Sequence, residues 1–189
     1  MNDIKTMQSG SSRTLNQLKD FFSNHKIHHF KKGEVFLNYG EMNHKMGLLI
    51  DGMMYAAYKA ESGQEWISRF FYLPNNGIVS SHESFMTRKE SSEIIRAYED
   101  SKMIIIERYE YEKIMTVNRR LERLARVMAE ENYVRALQRI HSLQSLTAQQ
   151  RVARFVKEHG EIVNRVQRQH VASYLGIHRN IFTRVLRNI

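Results

Sequence analysis

The sequence predicts an α+β protein of 189 residues, with an antiparallel β block first and helices after it. Three observations carry this. Between residue 31 and about residue 108, short apolar runs alternate with turn signals. From 118 to 143 the chain has no glycine or proline and is rich in Leu, Ala, Arg and Glu, which are residues of a long helix. The last two dozen residues hold two apolar stripes at helical spacing with one glycine between them, the sequence form of a helix-turn-helix.

Residues 14–30 begin as an amphipathic helix, with Leu15, Leu18, Phe21 and Phe22 on one side. Ile27-His28-His29-Phe30 then turns extended. The turn signals that follow are Lys32-Gly33, Tyr39-Gly40, Asp51-Gly52, Ser62-Gly63 and Pro74-Asn75-Asn76-Gly77. Between them lie the runs 35–37, 46–50, 54–58 and 66–71, and after them 94–98 and 103–106. Six or more short strands at this spacing fit an antiparallel sandwich or barrel.

Residues 109–116 turn helical again. The long helix 118–143 carries one stripe at Leu121, Leu124, Ala125 and Met128. A second, rotated stripe runs through Tyr133, Ala136, Leu137, Ile140 and Leu143. A helix with two apolar faces can pack on its own domain with one and on a partner with the other; an ordinary buried helix has the same pattern. Thr147 is placed to cap the next helix, 148–159, whose apolar side is Val152, Phe155 and Val156, and Gly160 to end it.

In the terminal unit, Val171, Ala172 and Leu175 form the first stripe, Gly176 interrupts it, and Ile177, Ile181 and Val185 form the second. The second helix of such a unit enters the major groove of DNA. Its first residues meet base edges: His178, Arg179, Asn180, Thr183 and Arg184, with Arg187 one turn on. Arg179 and Arg184 suit a forked pair to guanine, and Asn180 suits adenine. Phe182 reads either as core or as a contact to a thymine methyl. Arg168, Gln169 and Ser173 belong to the first helix, where contacts go to phosphates and position without reading sequence.

The charge agrees. Residues 1–117 hold 15 Lys and Arg against 15 Asp and Glu, whereas residues 118–189 hold 14 against 5, so the net +9 of the chain lies in its C-terminal part. Thirteen of those 14 cations are arginine. A basic module beside a neutral one points to a polyanion partner. The chain has no cysteine, which excludes disulfides, thiolate metal sites and cysteine-held iron–sulfur clusters. No apolar run reaches the roughly 18 residues of a membrane span, and the N-terminus lacks the apolar core of a secretory signal. A cytoplasmic protein without membrane contact is expected.

The order of these parts resembles the Crp/Fnr-type transcription regulators over nearly the whole chain. The residues that carry the likeness are Phe30-Lys31-Lys32-Gly33-Glu34, Tyr39-Gly40-Glu41, Leu49-Ile50-Asp51-Gly52 and Arg96-Ala97-Tyr98-Glu99-Asp100-Ser101. Ala148-Gln149-Gln150-Arg151, Val171 to Ile177 and Thr183-Arg184 complete it. The resemblance implies a jelly-roll effector domain of the cyclic-nucleotide-binding type (1–117), a connecting and dimerising helix (118–143) and a winged helix-turn-helix (144–189). It implies a homodimer on near-palindromic promoter DNA, with RNA polymerase as a further candidate partner. Arg184 matches the arginine of the family's Ser/Thr-Arg pair on the recognition helix. A wing would have to fall in the segment 160–166.

Cyclic-nucleotide members of the family are similar in a Gly-Glu pair followed by an arginine that takes the cyclic phosphate. Here the segment from Gly77 to Glu93 lacks Gly-Glu, and Ser91 or Ser92 stands at the arginine's place. Control by cyclic AMP is therefore not expected. Glu83 and Arg88 are the candidates for some other, unidentified small effector. No metal and no cofactor are expected, since His28 and His29 are adjacent and would point to opposite faces of a strand. Two other readings are a ligand-receptor module whose C-terminal helices bind protein, and a jelly-roll metalloenzyme.

Overall fold

The computed structural model describes residues 15–73 and 76–187. They form two compact units, the first ending at Glu131 and the second starting at Asn132.

The first unit is an antiparallel β sandwich. One sheet has the order β1 (Ile27–Phe30), β8 (Ser101–Glu107), β3 (Lys45–Asp51), β6 (Ile78–Val79). The other has the order β2 (Val35–Leu37), β7 (Glu93–Ala97), β4 (Met53–Lys59), β5 (Glu65–Tyr72). Helix α1 covers residues 15–21, α2 is His82–Thr87, α3 is Arg108–Val117 and α4 is Arg119–Ser145.

The strands form where the apolar runs were expected, and the reason is plain in β3 and β8. Both are buried on two faces. Leu49 and Met103 enter the core between the sheets, with Phe30, Phe36, Met54, Phe71, Val79 and Ile95. Their neighbours Leu48 and Ile104 enter a second core, with Leu15, Leu18, Phe22, Phe85 and Leu121. Alternate residues thus go to different cores, so the strands read as continuous apolar runs rather than as an alternation. The β3–β4 turn needs Gly52, whose φ is +90° and whose added Cβ would collide with the Asp100 carbonyl and Ser101. Phe21, expected on the buried side of α1, is exposed; Phe22 alone of the pair enters the core.

Two elements went unread. Strand β6 is two residues long, and α2 is six residues long with no side-chain hydrogen bond at its N-cap. Helix α4 starts where expected, because the Asn118 side chain accepts from the Arg120 and Leu121 amides at 3.1 Å each.

The second unit holds the end of α4, then α5 (Ala148–Val163), α6 (Arg168–Leu175) and α7 (Arg179–Leu186). Thr147 caps α5 in a full capping box with Gln150. The first stretch of α5 stops beside Gly160, as expected, but a further stretch follows. The helical path breaks at His159 (φ −135°, ψ 31°) and resumes to Val163. The segment expected to hold a wing is thus a last helical stretch and a turn, and no strand lies among the described residues of this unit. Its core is Val152, Phe155, Ile162, Val166, Val171, Ala172, Leu175, Ile177, Phe182 and Val185. No helix among the described residues is long and apolar enough to cross a membrane.

Candidate nucleic-acid interface

Helices α6 and α7 are joined by the turn the sequence marks. Gly176 takes the left-handed conformation (φ +63°) and its amide meets the Ala172 and Ser173 carbonyls. The Ile177 amide donates to the Ala172 carbonyl at 3.0 Å. These bonds satisfy carbonyls that the end of a helix leaves open. Gly176 is also tightly placed, since a Cβ there would stand 3.3 Å from Leu143 Cδ2. His178 then caps α7, its ring Nδ1 accepting from the Asn180 amide at 3.3 Å.

Helix α7 divides into two faces. Phe182 and Val185 are buried, which settles Phe182 as core. Arg179, Asn180, Thr183, Arg184 and Arg187 line one open cleft of about 590 Å³. Five of the expected reading residues are therefore gathered on one face, and four of them are exposed, with Thr183 half-buried. His178 stands apart as the cap. Of the expected phosphate contacts, Arg168 and Gln169 are exposed at the start of α6, and Gln169 donates to Gln167 at 3.0 Å. Ser173 is half-buried within α6.

Sequence reasoning missed the group that holds this turn. Arg139 of α4 donates from Nη2 to the Tyr174 carbonyl at 2.7 Å, and its guanidinium lies 4.1 Å from the Tyr174 ring centroid. Tyr174 in turn packs against Phe155 of α5, centroid to centroid 5.6 Å. Thirty-five residues separate Arg139 from Tyr174, so no local pattern announces the pair.

The two effector candidates are not brought together. Glu83 is exposed in the first turn of α2. Arg88 ends that helix in the left-handed region (φ 59°) and pairs with Glu112 of α3 at 3.1 Å. Among the described residues no group of three or more His, Cys, Asp or Glu is arranged to hold a metal ion.

No protein-family model and no curated protein matches the sequence. Solved structures do match the fold. FixK2 from Bradyrhizobium japonicum superposes with a TM-score of 0.71 at 19% identity, over 87% of this chain and 83% of that one. CLP, the c-di-GMP-responsive global regulator of Xanthomonas campestris, gives 0.72 at 15% identity, over 92% and 90%. A Crp/Fnr-family transcriptional regulator from Thermus thermophilus gives 0.67 at 18% identity, over 86% and 84%. The neighbours across most of the chain are Crp/Fnr-family transcription regulators, and the chain has their fold: a β sandwich, a long helix and a helical C-terminal unit.

Proposed function

We propose that this chain is a transcription regulator of the Crp/Fnr type, not an enzyme, that binds promoter DNA in the cytoplasm as a homodimer on near-palindromic sites. One observation carries the reading: Arg179, Asn180, Thr183, Arg184 and Arg187 share the open face of α7, while its other face is packed into the unit's core. This is the division a major-groove helix needs. Arg179 and Arg184 read guanine, Asn180 reads adenine, and Arg168, Gln169 and Ser173 anchor α6 on phosphates. The three segments divide the work: 1–117 as the input part, 118–143 as the pairing helix and 144–189 as the reader. Control does not pass through cyclic AMP, since the arginine of the phosphate cassette is absent; any effector is of another chemistry.

The test is binding of the full chain to a duplex carrying its own promoter site, followed over a salt series. A steep linear fall of log K with log salt is expected, with a slope near −0.9 per neutralised phosphate. Flat salt dependence would replace this reading with that of a protein-binding C-terminal region. RNA polymerase recruitment is scored separately, by transcription from the bound promoter.

A further inference from the structure

The first unit contains an ion pair with a buried carboxylate that belongs neither to its apolar cores nor to the proposed DNA-reading surface. Glu93 opens β7 opposite Tyr58 of β4. Its side chain is 4% exposed, and that of its partner Arg69, on β5, is 36% exposed. Arg69 Nη2 donates to Glu93 Oε2, and the Ser68 hydroxyl donates to Oε1 at 2.9 Å. The Arg69 guanidinium also rests 5.6 Å from the Phe71 ring centroid, which limits where its fork can turn. Tyr58 stands beside the same carboxylate; its phenol is pushed up by burial first and by the Glu93 charge next.

Arg69 Nη2 also reaches the Ser80 carbonyl at 3.5 Å, while its Nε is buried with no hydrogen-bond partner among the described residues; the side chains nearby are bonded to one another. Asn43 donates from its amide to the Ser80 hydroxyl at 2.8 Å, and from its backbone to the Ser84 hydroxyl at 2.9 Å. The Ser91 hydroxyl meets that of Ser81 at 3.0 Å and the Glu93 carbonyl at 2.9 Å. Asn43 and these four serines are all buried.

A buried carboxylate is tolerated only with an opposite charge and hydrogen bonds. A guanidinium is, in turn, the group that takes a carboxylate or a phosphate. An incoming anion at Arg69 would compete with Glu93 for Nη2 and would meet the like charge of its carboxylate. We propose that Glu93 is the built-in anion of the β unit: it occupies Arg69, so that the unit takes no anionic effector through this guanidinium. Glu93 is thereby a specificity-determining residue. This deepens the reading that cyclic AMP does not control the protein, and does not depend on DNA binding.

The experiment is thermal unfolding of the full chain without DNA, in inorganic phosphate or in cyclic AMP. Wild type and Arg69→Met are expected to respond alike to phosphate, showing only its general salting effect. Glu93→Ser frees the volume of the carboxylate; beyond that effect it is expected to gain about 3 °C or more at tenfold excess over Kd. Glu93→Ser combined with Arg69→Met loses the gain. If Glu93→Ser does not fold in low salt, phosphate or formate is expected to restore its near-UV circular dichroism, and failure to do so overturns the proposal. A folded Glu93→Ser with no phosphate gain overturns it as well, as does a wild-type response to phosphate or cyclic AMP that Arg69→Met abolishes. A wild-type response to cyclic AMP that survives Arg69→Met, beside a phosphate gain in Glu93→Ser, supports the role of Glu93 and rejects cyclic AMP independence alone.

Discussion

Arg139 of α4 holds Tyr174 of α6 twice, by a 2.7 Å hydrogen bond to its carbonyl and by a guanidinium 4.1 Å from its ring centroid. Tyr174 is the penultimate residue of α6, so its carbonyl is one that the helix leaves without an internal partner. A cation there also suits the negative end of the helix dipole. Arg139 therefore holds the α6–α7 turn while standing outside the face of α7 proposed to read DNA. Arg139→Ala should destabilise the second unit by about 1–3 kcal/mol, the range of a hydrogen bond to a charged group. DNA affinity should fall on cognate and scrambled duplexes alike with the salt slope unchanged. A slope reduced by about one unit would instead make Arg139 a phosphate contact.

In the proposed function, Arg184 reads and Arg168 anchors. Both are exposed, but Arg184 lies in the cleft on α7 and Arg168 at the start of α6. Arg184→Ala should cost about 1–3 kcal/mol on the specific site and little on scrambled DNA. Arg168→Ala should weaken both and reduce the salt slope. Mobility shifts on the two duplexes measure this; equal losses for Arg184→Ala would end its base-reading role.

Gly176 is favoured as glycine by its φ of +63°; Leu143 Cδ2, 3.3 Å from where a Cβ would sit, would have to give by a few tenths of an ångström. The left-handed conformation costs an L-residue roughly 1–2 kcal/mol. Gly176→Ala should lower the unfolding midpoint and weaken DNA binding together, since both depend on the same turn. Unaltered binding in a destabilised variant would show that α7 keeps its aim without this turn.

These residues mark how far local pattern reaches. The turn glycines and the two-faced burial of β3 and β8 leave direct traces in sequence, as do the Thr147–Gln150 capping box and the α6–Gly176–α7 break. Each shows as a local run or residue type, even where its cause, as at Gly52 against Asp100 and Ser101, is distant. The Arg69–Glu93 pair joins β5 to β7, two strands that touch only through β4. Arg139 meets Tyr174 across two helix junctions. Neither has a spacing to be read. Gly160 marks a break rather than the end of helical structure: the path leaves helical geometry beside it, at His159, and resumes to Val163, with Ile162 buried two residues on.

His159 gives the second unit a pH dependence of defined sign. It sits at the break in α5, its ring 5.2 Å from Phe155. Burial holds its pKa below 6.5, helped by the charges of Arg135 and Arg154 and opposed by Glu158 and Glu161. The fold thus prefers the neutral ring, and the unfolded chain binds the proton first. The stability this preference contributes is present above about pH 6.5 and is lost as pH falls through the lower, folded-state value. Unfolding midpoints measured from pH 7.5 to 5 should decline in the wild type and decline less in His159→Asn. Identical slopes would assign the decline to other groups.

The exposed stripe of α4 bears on pairing. Tyr133, Leu137, Ile140 and Leu143 are 65%, 46%, 50% and 41% exposed, at helical spacing along one side. An apolar row of this kind on a helix is ordinarily covered by a partner. In the proposed homodimer the partner is the same helix of a second copy, and the two readers then meet half-sites about 34 Å apart. Ile140→Glu places two like charges at that seam. Sedimentation should show the dimer weakened at least tenfold, which is about 1.4 kcal/mol. Binding to a duplex with two half-sites should fall much further than binding to one half-site, because only the former uses the linked pair. If the mass stays dimeric in Ile140→Glu and in Leu137→Glu, the seam lies elsewhere. If the wild type is monomeric at every concentration, the two-half-site geometry fails with it.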